Sequence, residues 1–501
     1  MQYREFGKTG KLVSAVGMGT TRFKQEDLLS QDGIERCAKL VVDAANSGVN
    51  FFDSAATYAN GRCEDILRLA LPQIRSKYYL CGKSSSYYQR TKDDVLKYIE
   101  TSLKNIGVDH FDFYYMWNVK SFEQYQFIMS KNGAYEGALA AKEQGLIDHI
   151  CFSSHAPAQD AIRIIKDGMF EGVSVSYSLL NFRENDAVLE CALKNQLGVS
   201  IMNPLAGGII PQNEQLFRGY MLENDGDSVD AALRFVYSNP AVSTVMCGIS
   251  NREELNADLN AIGAEEDFVA LRRIQLKDVF CDFAAFCTGC NYCAGCPAEI
   301  PISKLMTAYN QTKFFADSTF FNRTNPELIK RINFFKQLDG VISFYNEKNP
   351  CIRCGKCERV CTQSLPIMET ITKIYQWVDE NGVSIDKRKK RFQQLIKPSY
   401  KRVGFYTAGF YTAFVMELYR RLIGEFTFEV FVFDSDEKKW KEPYLETWSV
   451  RSPEEIPESE LDVLIVSNYI HDEVIYRDLK EKYPMENIQK LHQENDVPWT
   501  F

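Results

Sequence analysis

The sequence predicts an α/β chain of three parts, in which a closed (β/α)8 barrel precedes a helical segment and a small α/β segment. Three observations predict this division. Short apolar runs alternate with amphipathic stretches up to about residue 260, two dense cysteine runs follow, and strand-like alternation returns from Lys401 onward. A chain of 501 residues has room for roughly three or four domains of ordinary size.

The barrel is predicted from eight apolar runs that have the length of buried strands, with segments of helical spacing between them. Continuous apolar strands that alternate with helices pair in parallel and are covered on both faces. Eight such units in about 250 residues favour a closed (β/α)8 (TIM) barrel over an open doubly wound sheet, because no central Gly-rich phosphate loop is present. The predicted strands are 12–20, 50–54, 78–83, 111–117, 149–154, 172–177, 198–203 and 243–248.

The second part begins near residue 276, where strand-like alternation fades and the two cysteine runs appear. Phe-rich amphipathic stretches such as 326–338 predict helices here. The basic run 387–391 predicts a linker or an exposed helix end whose role is solvation. With the barrel assigned to 1–275, we expect a small α-helical domain over 276–395.

The third part, 396–501, predicts a small Rossmann-like α/β domain. Gly404 and Gly409 lie where its first strand meets its first helix, and Asp434 ends the next strand, an arrangement that would suit the phosphate and ribose of a nucleotide. Because the fingerprint lacks its middle glycine, packing or partner binding is the favoured role. The predicted strands are 403–405, 428–433 and 461–467, and the predicted helices are 411–422 and 472–482.

The composition excludes several classes of partner. The chain has 58 Lys plus Arg against 67 Asp plus Glu, which gives a net charge of −9 and no expectation of nucleic-acid binding. The longest apolar stretch, 404–416, is shorter than the roughly 20 residues of a membrane-spanning helix, and the first residues lack an apolar signal core. We therefore expect a cytoplasmic protein without a membrane partner.

Chemistry in a (β/α)8 barrel is expected at the carboxyl ends of its strands. Asp53 ends the second predicted strand, Tyr58 follows in the next loop, and Lys83 ends the third strand. A buried Lys beside an Asp can lower the pKa of a Tyr hydroxyl, which then protonates a carbonyl oxygen. Singly, these residues are explained as a helix cap, a packing residue and a surface lysine. Together they predict a proton-donating group.

These residues lie in motifs that resemble the aldo-keto reductase superfamily over about residues 1–275. The motifs are Val16-Gly-Met-Gly-Thr20, Asn50-Phe-Phe-Asp-Ser-Ala-Ala-Thr-Tyr-Ala-Asn-Gly61 with Glu64, Lys83, Asn203-Pro-Leu-Ala-Gly207 and Gly248-Ile-Ser-Asn251. The resemblance implies that Tyr58 is the acid, that Lys83 and Asp53 tune it, and that NAD or NADP lies over the barrel mouth. It implies cofactor contacts from Tyr177, Ser174, Asn203, Leu205, Gly248, Ser250 and Asp258, and a small carbonyl or hydroxyl compound as substrate.

Three positions depart from the family pattern. Trp117 stands where the family has a catalytic His, and an indole N–H donates a hydrogen bond but cannot accept or relay a proton. Ser174 stands in place of a Gln near the nicotinamide, and Asp258 in place of an Asn near the adenine. The departures leave the choice between NAD and NADP open, and they leave open whether the barrel runs ordinary hydride chemistry.

The two cysteine runs have the spacing of iron-sulfur ligands. Three cysteines at intervals of three can bind three irons of a 4Fe-4S cluster, and in two-cluster ferredoxins the fourth cysteine of each run binds the other cluster. Zinc is the alternative, although its cysteine ligands usually form separated pairs. The predicted sets are Cys287, Cys290, Cys293 and Cys361 for one cluster, and Cys351, Cys354, Cys357 and Cys296 for the other.

About 55 residues separate the two runs, and this length with helical patterning resembles the α-helical ferredoxin domain of iron-sulfur members of the same superfamily. The resemblance implies an iron-sulfur oxidoreductase with two 4Fe-4S clusters and NAD or NADP. Hydride transfer moves two electrons whereas each cluster passes one. Because no flavin signature bridges them, a redox partner such as a ferredoxin or flavoprotein could take part.

Two other functions stay open at this point. In one, the barrel has lost hydride chemistry and the chain is an electron-transfer or redox-sensing adaptor, as Trp117, Ser174 and Asp258 suggest. In the other, the chain is an enzyme that acts on a nucleotide-linked sugar held by the C-terminal domain.

Overall fold

The computed structural model describes residues 1–212, 214–217, 221, 226–263, 286–310, 349–440, 443–444, 447–468 and 471–492. The chain divides into two compact units, Met1–Thr288 and Gly289–Phe501. The helix predicted over 326–338 lies outside the described residues. The finer division into domains at 275 and 395 stays a prediction.

The first unit contains a closed barrel of eight parallel strands, as the apolar runs predicted. Each strand pairs with its sequence neighbour, and the last strand pairs with the first to close the barrel. The strands are β3 (Val16–Gly19), β4 (Phe51–Asp53), β5 (Tyr79–Ser85), β6 (Phe111–Val119), β7 (Ile147–Ser154), β8 (Gly172–Ser176), β9 (Gly198–Met202) and β10 (Thr244–Cys247).

One predicted strand, 12–20, is in fact two strands. Only its second half is the barrel strand β3, whereas β2 (Leu12–Ser14) pairs antiparallel with β1 (Tyr3–Glu5) outside the barrel. Phe6 lies between the two strands of this hairpin, directly after β1, and is fully buried, with its ring 4.5 Å from that of Phe113. A Cβ at Gly198 would lie 2.0 Å from the Phe6 ring, so this position has to be glycine.

Helices alternate with the strands and bury one apolar face each. The third of them begins with a capping box, in which Thr91 and Asp94 satisfy each other's backbone amides, and it ends at Gly107 in the left-handed conformation. The helices of the first unit are α1 (Gln31–Asn46), α2 (Cys63–Ala70), α3 (Lys92–Ile106), α4 (Phe122–Ile128), α5 (Ala134–Glu143), α6 (Ala158–Lys166), α7 (Phe182–Lys194), α8 (Ile209–Gln212), α9 (Glu214–Phe217), α10 (Ser228–Tyr237) and α11 (Arg252–Gly263).

The second unit begins with helices and contains the basic run 387–391. The prediction of a linker or a solvated helix end for this run is wrong, because it lies inside one long helix. Arg388 is only 5% exposed, and the Arg391 guanidinium donates hydrogen bonds to the carbonyl oxygens of Lys490 and Leu491. The helices are α12 (Ile302–Asn310), α13 (Lys356–Val360) and α14 (Ile367–Leu395).

From Arg402 onward, the described residues of the second unit contain a six-stranded sheet and two helices, α15 (Phe410–Leu422) and α16 (Asp472–Lys482). Its strands are β11 (Arg402–Tyr406), β12 (Glu429–Phe433), β13 (Pro443–Tyr444), β14 (Trp448–Arg451), β15 (Val463–Val466) and β16 (Ile488–Lys490), in the order β13-β14-β12-β11-β15-β16. All neighbours are parallel except β13 and β14. The three strands and two helices predicted for this part are present, and the Rossmann-like assignment stays a prediction. Across the described ranges, no helix has the length and apolarity that a membrane span requires.

Candidate active site

The three residues predicted to donate a proton meet at the carboxyl end of the barrel. Lys83 Nζ donates a hydrogen bond to Asp53 Oδ2 at 2.7 Å, and the two side chains are only 7% and 12% exposed. The Tyr58 hydroxyl donates a second hydrogen bond to Asp53. Lys83 Nζ also lies 5.2 Å from the centroid of the Tyr58 ring, and Tyr58 itself is buried. Asp53 therefore connects an ammonium group and a phenol.

A tight turn after β4 directs Tyr58 back toward the barrel. Ala59 and Asn60 have φ values of 50° and 54°, and Gly61 follows at 82°. Three successive residues in the left-handed region reverse the chain within one turn, and helix α2 starts directly after it. The amide of Cys63 donates to the carbonyl oxygen of Tyr58 and ties the turn to this helix.

In this buried group the Lys83 ammonium compensates the charge of the Asp53 carboxylate. Burial raises the pKa of the Asp53 carboxyl, and the hydrogen-bonded Lys83 ammonium and Tyr58 hydroxyl oppose that rise. An ammonium beside a phenol favours the phenolate, which is the form that a tyrosine leaves after it donates a proton. The arrangement can therefore deliver a proton from Tyr58 and stabilise the charge that remains.

Trp117 lies near the same end of the barrel, in β6, and is partly exposed. It pairs in register with Ser85 of β5, two residues beyond Lys83. The register of β6 against β7 shifts between Met116 and Val119, so a bulge follows Trp117 directly.

The sequence-based candidates missed His155, which follows the last residue of β7. Its Nε2 lies 3.2 Å from Ser153 Oγ, and burial together with Lys120 and Lys83 lowers the pKa of the imidazole to about 3. A signal for this residue was present, because His155 is the first polar ring after the predicted strand 149–154.

Among the predicted cofactor residues, Asn203 and Leu205 lie beyond the end of β9, whereas Ser174 lies in the middle of the neighbouring strand β8. Ser174 is buried in β8 and pairs in register with Ser200 of β9. Asn203 follows β9 with a φ of 54°, its carbonyl oxygen accepts from the Ala206 amide, and Leu205 precedes a short helical turn. These positions are compatible with contacts to a molecule at the barrel mouth.

Tyr177, predicted to stack on a nicotinamide, is fully buried in the structure. Its ring stacks on that of Phe235 with centroids 5.9 Å apart, and its hydroxyl donates to Asp186 at 2.7 Å. A stacking contact with a nicotinamide would need surface that this arrangement covers, and the role of Tyr177 stays a prediction.

The loop after β10 contains Gly248 and Ser250 and is packed against Arg22. A Cβ at Gly248 would lie 2.5 Å from Arg22 Cγ, so glycine admits the arginine side chain to this loop. The amide of Ser250 donates to Glu254 at 2.7 Å. Arg22, which sequence reasoning missed, donates to the carbonyl oxygen of Thr288 at 2.8 Å. It supplies a cation beside the loop that follows the last strand.

Asp258 lies in α11 and faces the barrel wall, where it is hydrogen-bonded to Cys247. Burial raises the pKa of its carboxyl to about 7, and the Cys247 thiol opposes this rise. Its exposed fraction is 6%, which leaves little of the side chain accessible to an adenine ring.

In the second unit, cysteines of both runs line the same cavity. Lys356 Nζ donates to the carbonyl oxygen of Gly295 at 3.1 Å, which links the loops of the two runs. Cys290 Sγ lies 3.9 Å from the hydroxyl of Thr362, the residue after Cys361. The cysteines that line the cavity are Cys293, Cys296, Cys351, Cys354 and Cys357.

A separate group of metal-ligating side chains lies in the first unit. Within the described residues, ligand atoms of three candidate groups come within 4.8 Å of one another only at His110, Asp112 and Asp148. That cluster lies at the opposite end of the barrel, where Lys11 Nζ bridges Asp148 at 2.8 Å and Asp112 at 3.5 Å.

Comparison with known proteins identifies the first unit. The chain is 22% identical to the uncharacterized oxidoreductase YqkF of Bacillus subtilis (strain 168) over 317 residues, which cover 56% of this chain and 98% of that protein. It is 24% identical to the uncharacterized oxidoreductase YrpG of the same organism, over 56% of this chain and 96% of that one. Among solved structures, the holo form of aldo-keto reductase AKR11C1 from Bacillus halodurans is 20% identical with a TM-score of 0.46, over 55% of this chain and 95% of that one.

The sequence profile described as "Aldo/keto reductase family" matches residues 15–274, which is more than half of the chain. The matched residues include the closed barrel and the buried group of Tyr58, Lys83 and Asp53. We conclude that the chain belongs to the aldo/keto reductase family and is an oxidoreductase.

Proposed function

We propose that the barrel catalyses the NAD(P)-linked interconversion of a small carbonyl compound and its alcohol. The observation that carries this proposal is the buried hydrogen-bonded group in which Asp53 joins Lys83 and Tyr58 at the barrel mouth. A nicotinamide cofactor supplies the hydride when it is bound. The residues of the chain supply the proton and the charge compensation.

In the reductive direction, hydride adds to the carbonyl carbon and the electron pair of the C=O π bond moves to the oxygen. Tyr58 donates its hydroxyl proton to that oxygen, so that the carbonyl is reduced to an alcohol and the cofactor is oxidised. The phenolate that remains lies beside the Lys83 ammonium, which is itself hydrogen-bonded to Asp53. Exclusion of water strengthens this electrostatic stabilisation.

The loops after β9 and β10 are our proposed cofactor-binding region. Anionic groups of a dinucleotide fit the loop of Gly248 and Ser250 because Arg22 adds a positive charge there. Asn203, Leu205 and Ser174 would flank the nicotinamide end, and Trp117 would form a wall of the substrate site. Tyr177 and Asp258 would require rearrangement to contact the cofactor, because both are buried.

The test of this proposal uses the complete protein and the probe para-nitrobenzaldehyde. Wild-type protein is expected to oxidise NADPH or NADH in the presence of the aldehyde, and Tyr58→Phe should lose at least about 100-fold in kcat, the usual contribution of a general acid. Titration of NADPH and NADH against tryptophan fluorescence separates the alternative adaptor function, for which saturable quenching should be absent.

We also propose that the two cysteine runs bind two 4Fe-4S clusters. Support comes from the cavity that Cys296 lines together with Cys351, Cys354 and Cys357, the ligand set predicted for one cluster. Cys293, predicted for the other cluster, lines the same cavity. For the other cluster we propose Cys287, Cys290, Cys293 and Cys361, consistent with the contact between Cys290 and Thr362.

Two such clusters predict about eight irons per chain after anaerobic purification. Stoichiometric zinc without iron would refute the cluster proposal and leave the barrel proposal intact. Because hydride transfer moves two electrons and a cluster one, we propose a ferredoxin or a flavoprotein as redox partner. Anaerobic addition of NADPH should bleach the cluster absorbance only when that partner, or a flavin mediator, is present.

A further inference from the structure

His155 continues the inner face of the barrel at the mouth. In β7, Cys151 belongs to the buried interior cluster with Tyr115. Alternate residues of a strand face the same side, so Ser153 and His155 follow Cys151 on the inner face. The contact between Ser153 Oγ and His155 Nε2 at 3.2 Å agrees with this placement. The amide of His155 donates to the Val119 carbonyl oxygen at 2.8 Å, so strand pairing extends to this residue.

The imidazole of His155 is held neutral by burial and by two lysines, one of which is Lys83 of the proposed proton-donating group. Lys83 and Lys120 both act on the ring, and with burial they lower its pKa to about 3. Its Nε2 is paired with Ser153, and within the described part of the chain Nδ1 forms no hydrogen bond. When the Ser153 hydroxyl donates to Nε2, the ring proton is on Nδ1. The site then holds a neutral N–H donor without a protein partner.

In the proposed reaction Tyr58 donates a proton to the oxygen that gains charge. A second hydrogen-bond donor at that oxygen would stabilise the developing charge further. We propose that His155 contacts the reacting oxygen of the substrate beside Tyr58 and stabilises the charge that develops there. This inference rests on the proposed carbonyl chemistry of the barrel. His155 transfers no proton: the hydride adds to carbon, the π electrons move to oxygen, and Tyr58 supplies the proton.

The experiment compares His155→Phe and His155→Gln with wild-type protein, with NADPH and para-nitrobenzaldehyde as probes. Removal of one hydrogen bond to a developing oxyanion lowers kcat by about 100- to 1,000-fold. We expect a loss of that size for His155→Phe and a smaller loss for His155→Gln, whose amide can still donate. The NADPH dissociation constant, measured by fluorescence, should change less than about twofold. His110→Gln is the matched control, since His110 lies at the opposite end of the barrel.

The outcomes separate this inference from the function on which it rests. Wild-type kcat in both His155 variants overturns the role of His155 while the proposed function stands. A loss of NADPH affinity without a loss of kcat also overturns it, because His155 would then serve the cofactor. If wild-type protein oxidises neither NADPH nor NADH with the aldehyde, the proposed function fails and the role of His155 fails with it.

Discussion

Lys83→Met tests how much the buried ion pair between Lys83 and Asp53 contributes to the stability of the barrel. The substitution removes the ammonium that donates to Asp53 at 2.7 Å and retains most of the apolar stem. Asp53 is then a buried carboxyl without its cation. Breaking a buried pair by removing one partner costs about 3–5 kcal/mol. We expect the free energy of unfolding of the barrel to fall by an amount in this range at neutral pH.

The cost should depend on pH in a definite direction. Burial already raises the pKa of Asp53, and loss of Lys83 removes the main opposing interaction, so the carboxyl in the variant takes up a proton more readily. Because the folded state of the variant then binds a proton that the unfolded state loses above its ordinary pKa, stability falls as pH rises. The destabilisation should be smaller near about pH 5 than near about pH 8.

The assay is urea unfolding, monitored by pulsed hydrogen exchange in peptides from β4 to β6. These peptides report on the barrel unit alone. Lys142→Met is the matched control, because Lys142 pairs with Glu171 at 2.6 Å but both side chains are far more exposed, at 39% and 28%. Such an exposed pair should contribute less than about 1 kcal/mol. The double variant Asp53→Asn with Lys83→Met should recover part of the loss. Equal costs for the two lysine variants, or a cost independent of pH, would refute the reasoning.

Three further predictions concern other parts of the chain. Asp258→Asn should stabilise the barrel by at most about 4 kcal/mol near pH 8 and leave its stability unchanged near pH 4. The reason is that the pKa of the Asp258 carboxyl rises from 3.8 to about 7 on folding, so its ionisation destabilises the folded state. Thermal unfolding at both pH values measures this effect, and equal stabilisation at both would contradict it. Cys296→Ala should lower the iron content from about eight toward about four per chain, whereas Cys191→Ala in α7 should not, as anaerobic iron analysis would reveal. Asp434→Ala should lower the free energy of unfolding of the second unit by about 1–3 kcal/mol, as measured by urea unfolding. The Asp434 carboxylate accepts hydrogen bonds from the amides of Ala408 and Asp436 and from the Lys439 ammonium. A loss of nucleotide binding without a loss of stability would instead support the nucleotide-linked function.

The barrel could be predicted because parallel strands that are buried on both faces consist of continuous apolar runs in the sequence. The short strands β14 and β16 were missed for the opposite reason, since Trp448–Arg451 and Ile488–Lys490 mix apolar and polar residues. The basic run 387–391 was misread because charge alone does not reveal that Arg391 is satisfied by backbone carbonyl oxygens.

The sequence predicts the site residues that lie at the carboxyl ends of the predicted barrel strands. Asp53 and Lys83 end their apolar runs, and the structure places them within hydrogen-bonding distance. His155 and Arg22 were missed because their value depends on neighbours distant in sequence, Lys83 for the first and Gly248 for the second. The burial of Tyr177 against Phe235 was equally beyond reach, because no local pattern links two residues in separate barrel helices and loops.

The central claim is that the group of Tyr58, Lys83 and Asp53 supports hydride transfer to a carbonyl carbon. Its most direct test is a single-turnover reaction of the complete protein with para-nitrobenzaldehyde and NADPH deuterated at C4, analysed by mass spectrometry of the alcohol. We predict one deuterium on the carbinol carbon with wild-type protein and a rate at least about 100-fold lower with Tyr58→Phe. Absence of deuterium transfer by wild-type protein with both NADPH and NADH, or an unchanged rate with Tyr58→Phe, would contradict the claim.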